Sequence, residues 1–185
     1  MANVKGSYGR FSCISNEEGK LLLVQRGWYV DSKTNERKWD GRWNYPGGGV
    51  DEKDAEVSAT PEKIMYREVV EETGLEVMIA DYRPVGEYPT VKHTDIAITY
   101  LCKVVGGHLV ATAEGTDFCY VSPSKAMEIG RRGDVPYGLV GGLQTSTGGV
   151  PRHIQMVLHY FTRVCDNSQY RKEAEEYCDT LGIPV

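Results

Sequence analysis

Apolar and polar positions alternate in two stretches near the start of the chain. Over residues 7–15, Tyr8, Arg10, Ser12 and Ile14 alternate with Phe11 and Cys13, and residues 20–26 read Lys-Leu-Leu-Leu-Val-Gln-Arg. Both patterns predict strands, and the turn cluster Asn16-Glu17-Glu18-Gly19 between them predicts a hairpin. Residues 27–41 are polar and interrupted, with Trp28, Tyr29 and Trp39 among them, which reads as a loop longer than most connections. Residues 42–50 form a short extended piece that ends in Pro46-Gly47-Gly48-Gly49, and residues 51–58 are acidic without a period.

A helix signal follows. Thr60 is a natural N-cap, Pro61 fits the first helical position, and Glu62 suits the positive helix end. The helix should run to Thr73 and stop at Gly74. Residues 77–88 and 94–105 predict strands, the second with Ile96, Ile98, Tyr100, Cys102 and Val104 on one buried face. Gly106-Gly107 should turn the chain into a short strand over 108–112, with another strand over 118–121. Ser122-Pro123 opens a helix to Ile129, and residues 151–165 and 168–181 read as closing helices. Residues 131–150 are Gly-rich and read as a loop; they lack the lysine of a phosphate-cradling P-loop. Strands, one helix, strands, then helices predict an α+β fold, a mixed β-sheet sandwiched between helices in an α/β/α arrangement.

Length and composition narrow the classes. The chain has 185 residues, 41% of them hydrophobic and 25% charged, which is ordinary globular composition for one domain. The net charge of -5 disfavours a nucleic-acid polymer as partner, because a duplex calls for a basic face. The longest aliphatic run, residues 21–24, is far short of a membrane span. The first residues lack the apolar core of a secretory signal, and Cys13, Cys102, Cys119, Cys165 and Cys178 are odd in number with no C-x-x-C. A cytoplasmic protein with free thiols is expected.

The informative stretch is Tyr66-Arg67-Glu68-Val69-Val70-Glu71-Glu72-Thr73-Gly74-Leu75. At about 100° per residue, Glu68, Glu71 and Glu72 share an arc of roughly 100°, while Tyr66, Val69, Val70 and Thr73 lie opposite and can pack on a sheet. Like charges at these spacings cost about 0.2–0.5 kcal/mol per pair, so a cation should compensate. Arg67 can do part of this, and a hard divalent ion bound through oxygen is the alternative. Such runs also occur on solvated helix faces. Here, however, Pro46-Gly47-Gly48-Gly49 precedes the helix, and backbone can approach a phosphate closely there.

These residues resemble the Nudix box, G-x5-E-x7-R-E-U-x-E-E-x-G-U with U aliphatic. Residues 67–75 match its second half at every fixed position. Residues 21–26 and 43–48 are similar to the strand and Pro-Gly-Gly lead-in usual in that family, and residues 113–123 to its late acidic loop, strand and final helix. The resemblance implies a single Nudix domain over 1–185, with the box at about 48–75 and a C-terminal helix over 166–185. One departure stands out: Ala59 lies eight before Arg67 where the box has Glu, and Asp54 lies six after Gly48. The loop over 50–59 is thus about five residues longer than the pattern, and Asp54 or Glu56 is available for the displaced carboxylate.

The resemblance implies hydrolysis of the pyrophosphate bond of a nucleoside diphosphate linked to another moiety, of the nucleoside triphosphate, ADP-ribose or nucleotide-sugar type. Mg²⁺ or Mn²⁺ would be the cofactor. Glu68, Glu71 and Glu72 would be metal ligands with the Gly48 carbonyl, Arg67 would hold a glutamate in place, and Glu114 would be the general base with Glu71 as runner-up. Arg10, Arg26 and Arg42 are candidates for phosphate, and Trp28, Tyr29, Trp39 or Tyr88 for stacking on a base. The partner would be a small nucleotide derivative, without nucleic-acid polymer or membrane, and the family's habit of dimerising makes a homodimer an option. A Nudix-fold module that senses a nucleotide without cleaving it is the alternative, suggested by the glutamate missing at position 59.

Overall fold

The computed structural model describes residues 9–30, 34–49, 60–89, 96–132 and 152–185. The predicted loops over 50–59 and most of 131–150, with Asp54 and Glu56, lie outside them.

The chain runs β1 (Gly9–Ile14), β2 (Leu21–Arg26), β3 (Trp28–Val30), β4 (Arg37–Trp39), β5 (Trp43–Asn44) and β6 (Gly47–Gly48). Then come α1 (Pro61–Thr73), β7 (Leu75–Pro89), β8 (Ile96–Gly107), β9 (Gly115–Val121), α2 (Pro123–Arg131), α3 (Arg152–Arg163) and α4 (Ser168–Leu181). A mixed sheet has the order β6-β1-β8-β7, with β1 parallel to β8 and the other neighbours antiparallel. A second, antiparallel sheet has the order β5-β2-β9, and β3 pairs with β4.

Both faces of the two larger sheets are covered. Phe11, Cys13, Leu21 and Leu23 join α2, α3 and α4 in one apolar cluster. Ile14, Leu22, Val77, Ile79 and Cys102 join Met65 and Val69 of α1 in another. The run Leu21-Leu22-Leu23-Val24 is buried throughout because consecutive side chains point into opposite layers. This is the expected α+β, helix–sheet–helix arrangement. The ends of α1 also follow the sequence: Thr60 Oγ1 accepts from the Lys63 N–H at 3.4 Å, and Gly74 closes the helix at φ 73°, its N–H donating to Val70 O at 2.9 Å. Among the described residues no helix is long and apolar enough to cross a membrane.

Several expectations are corrected. β1 and β2 are not a ladder hairpin; they meet only through a bridge between Ser15 and Leu21, then enter different sheets. The expected loop over 27–41 contains β3 and β4 in register, Trp28 opposite Trp39. No strand forms over 108–112; the segment instead drapes over the end of α1, where the Val110 N–H donates to Thr73 O. Tyr66 is 43% exposed, while Ile64 and Met65 take the buried side. β8 does not have a single buried face. Ala97 and Thr99 are buried as well as Cys102, and Val104 is exposed because β1 stops pairing at Cys102 and the rest of β8 extends beyond it.

Candidate functional site

The site forms where α1 crosses the β6 edge of the mixed sheet. Gly47 and Gly48 pair with Phe11 and Arg10 of β1. Gly47 has φ 133°, and a Cβ there would stand 2.3 Å from Arg10 O, so only glycine fits. A Cβ on Gly48 would stand 2.2 Å from Glu68 Oε2. The double glycine therefore lets two helical carboxylates lie against the strand backbone.

Glu72 is the deeper of the two. It is 7% exposed, and its Oε2 accepts from the Gly47 N–H at 2.8 Å. Burial raises its pKa to about 8; the Gly47 bond and the charge of Arg26 oppose the rise, and Glu68 and Glu114 add to it. Glu68, one turn earlier, is raised to about 7, again first by burial, against the pull of Arg67. Arg67 forks between two acids, donating to Glu68 Oε1 and to Glu71 Oε2, each at 2.7 Å. Glu71 is 45% exposed and turned into that pairing. The helix arc thus resolves into one buried acid, one half-buried and one at the surface.

Glu114 arrives from the turn before β9, exposed, with its carbonyl accepting from the Gly27 N–H at 2.6 Å. Its charge bears on both Glu68 and Glu72. The next residue, Gly115, is what lets β9 touch α1, since a Cβ there would fall 1.9 Å from Glu72 O. On the same strand pairing, Arg26 stands opposite Gly115. Arg26 Nη1 donates to Asp40 Oδ2 at 3.0 Å, and Arg42 Nε donates to Asp40 Oδ1. Arg10 is buried beside Gly48.

The structure brings Glu68, Glu72, Gly48, Glu114, Arg67 and Arg26 together, with Arg42 joined to them through Asp40. Trp28 is 45% exposed at the start of β3, and its N–H donates to Ala113 O next to Glu114. Tyr88 pairs with Ala97 on β7, three strands from β6, which is about 14 Å at ordinary sheet spacing. The side chains of Tyr29, Trp39 and Tyr88 lie outside the described residues.

Sequence reasoning did not pick out Asp40 or Gly115. An Asp-Gly pair reads as a turn, and a glycine after an acidic loop reads the same way. Neither has a periodic signal.

Among the described residues no three His, Cys, Asp or Glu side chains stand so as to enclose an ion unaided. The donor set nevertheless suits a hard divalent cation. Glu68 and Glu72 are neighbouring acids whose pKa values burial raises to about 7 and about 8, and a small ion such as Mg²⁺ is commonly held by one or two carboxylates plus substrate phosphates.

Comparison with known proteins agrees with this geometry. The family model of the NUDIX domain matches residues 8–137. A "MutT-like protein" of Streptomyces ambofaciens is 30% identical over 115 residues, covering 62% of this chain; the chain spans 63% of that relative's length. The crystal structure of the MutT protein from Methanosarcina mazei Go1 aligns with a TM-score of 0.52 at 25% identity, covering 74% of this chain and 88% of that one. A NUDIX hydrolase from Nitrosomonas europaea has the same fold, with a TM-score of 0.52 at 16% identity over 84% of this chain and 88% of its own. A helix bearing Arg67, Glu68, Glu71 and Glu72, laid over a Gly-Gly strand edge in this fold and matched by this family model, has one interpretation: the chain belongs to the Nudix domain family.

Proposed function

We propose that the chain hydrolyses the pyrophosphate bond of a nucleoside diphosphate linked to another moiety, with Mg²⁺ or Mn²⁺ as cofactor. The observation that carries this is Glu72, a carboxylate buried against the Gly47 N–H with Glu68 beside it, both raised into the neutral range. A pair of acids in that condition wants a cation, and the neighbouring arginines want phosphate. When bound, the metal would neutralise phosphate charge and lower the pKa of a coordinated water.

In this reading Glu68 and Glu72 hold the ion, with the Gly48 carbonyl and Glu71 as further ligands. Arg67 fixes the direction of Glu68. Glu114 takes the proton of the attacking water, since it is exposed and its charge bears on both members of the pair; Glu71 is the second candidate. Arg26 and Arg42 meet the substrate's phosphates and Trp28 offers an indole face to a base. The proposal includes a single Nudix domain over 1–185, a small nucleotide derivative as partner, a homodimer as the assembly, and a cytoplasmic location, with which the free cysteines accord.

The test is turnover of nucleoside triphosphates, ADP-ribose, nucleotide sugars and dinucleoside polyphosphates with Mg²⁺ and Mn²⁺. Release of a nucleoside monophosphate, with Glu72→Gln slower by more than about 100-fold, is the expected result, beyond what outer-sphere partners of a metal usually contribute. Tight nucleotide binding without product, unchanged in Glu72→Gln, would establish the sensor instead.

A further inference from the structure

Asp40 carries no role in the scheme above, yet its side chain is only 2% exposed. It spends its two oxygens on two different arginines: Arg26 Nη1 on Oδ2 at 3.0 Å, and Arg42 Nε on Oδ1. The backbone reinforces this division. Arg26 N–H donates to Arg42 O and Gly41 N–H to Arg26 O, both at 2.9 Å, and Asp40 N–H donates to Gly27 O at 3.1 Å. Gln25 Nε2 adds a bond to Gly41 O at 2.9 Å. The Asp40 carboxylate is therefore fixed by the chain on both sides of it, and each guanidinium is fixed by Asp40.

The arginines themselves are not sunk into the fold. Their side chains are 36% and 40% exposed. A guanidinium has five N–H donors, so two of them cannot be saturated by one carboxylate. The two arginines are held together at one corner, since Asp40 bonds both and the Arg26 N–H donates to Arg42 O. Arg26 stands opposite Gly115, which touches the Glu72 backbone, and its charge bears on Glu72. Arg26 and Arg42 both bear on His153 at the start of α3, a buried imidazole whose ring nitrogens have no hydrogen-bond partner among the described residues. One fork beside Glu72, tied through Asp40 to a second, can receive a phosphate adjacent to the one being attacked.

We propose that Asp40 is a positioning residue: it splays Arg26 and Arg42 into a two-armed clamp for the phosphate of the diphosphate that lies away from Glu68 and Glu72. It acts through the two arginines and touches no substrate. The inference rests on the pyrophosphohydrolase reading for its placement but concerns phosphate binding, and binding is what tests it. An ordinary structural ion pair would also fill a corner, but it would not couple to anion affinity.

Inorganic pyrophosphate titrated calorimetrically into the whole protein with Mg²⁺, at low ionic strength, is the probe. Asp40→Asn should weaken binding about tenfold, as expected for losing the alignment of charge-assisted hydrogen bonds. The loss should be absent in an Arg26→Gln/Arg42→Gln background, and Asp40→Glu should restore part of it. Arg26→Lys/Arg42→Lys, which keeps the charge but not the fork, should bind as poorly as Asp40→Asn. If Asp40→Asn does not fold, the half-exposed arginine variants still decide, because pyrophosphate affinity unchanged in Arg26→Gln/Arg42→Gln overturns the clamp. So does a wild-type protein that fails to bind pyrophosphate, or an Asp40→Asn effect that simply adds to that of the arginine variants. Turnover of the nucleotide panel is scored separately. A hydrolase with no Asp40 effect keeps its function and loses the clamp, whereas a protein without turnover but with the coupled loss keeps the clamp and loses the reaction.

Discussion

Replacing Glu72 with glutamine keeps the shape and an acceptor for the Gly47 N–H while removing the charge that burial opposes. The ion-free variant should therefore melt at or above the wild-type temperature near pH 8, while losing the stabilisation that Mn²⁺ gives the wild type, since binding to the folded state alone raises stability. Thermal melts with and without Mn²⁺ check this. A variant that melts lower than wild type and still responds fully to Mn²⁺ would remove Glu72 from the metal site. Gly48→Ala probes the neighbouring acid. Its Cβ meets only the far end of Glu68, a flexible side chain that can swing away, so stability should change by less than about 1 kcal/mol. Mn²⁺ affinity should fall about 10–100-fold as Glu68 is displaced. The helical period made Glu68, Glu71 and Glu72 legible as one face. It could not grade their depth, which depends on two distant glycines: Gly47 receives Glu72 and Gly115 lets β9 close over it.

Among elements, α1 has limits that the local chemistry determines, from the Thr60 cap to Gly74 in the left-handed region. Its contact with β9 is determined from outside. Gly115→Ala would place a methyl 1.9 Å from the Glu72 carbonyl and 2.8 Å from Val24 Cγ2. Neither backbone nor core can yield cheaply, so the expected cost is about 1–3 kcal/mol, a fall in Tm of roughly 3–10 °C. Activity should suffer as well, since the strand end carries Glu114 and faces Arg26. A melt equal to wild type would show that β9 and α1 do not meet as described. The strands were read less well than the helices for a physical reason. Whether β1 pairs with β2 or with β8 depends on partners far apart in sequence, and the turn Asn16–Gly19 is equally compatible with a hairpin and with a corner between sheets. Likewise Trp28 and Trp39 looked like loop aromatics, because a three-residue strand is too short to display a period.

At the scale of the whole molecule, two buried sets of titratable groups pull stability in opposite directions with pH. Glu72 and Glu68 have folded-state values of about 8 and about 7, above the usual 4.5. Their contribution is fully present below pH 4.5 and is lost as pH rises through 7 to 8, because the folded state holds protons that the unfolded chain has released. His153 is depressed from 6.5 to about 3 by burial, with Arg152, Arg26 and Arg42 adding to it. Its contribution is present above pH 6.5 and is lost as pH falls toward 3. Between pH 4.5 and 6.5 the two oppose each other; above 6.5 only the carboxylates act. The ion-free protein should therefore melt at falling temperature across both windows, because below pH 6.5 the single imidazole offsets only one of the two carboxylates. Surface pairs such as Arg83–Asp81 add little to this profile, being solvated. Mn²⁺ should reverse the upper limb, since it competes with protons for the same oxygens and binds better as they leave. His153→Leu should raise the melting temperature relative to wild type more at pH 5 than at pH 8, because it removes the imidazole that the unfolded chain protonates. Melts at pH 5, 6.5 and 8, with and without Mn²⁺, for wild type and His153→Leu, separate the two sets. If the ion-free wild type grew steadily more stable from pH 6.5 to 8, the carboxylates could not be the strained pair that the metal site requires.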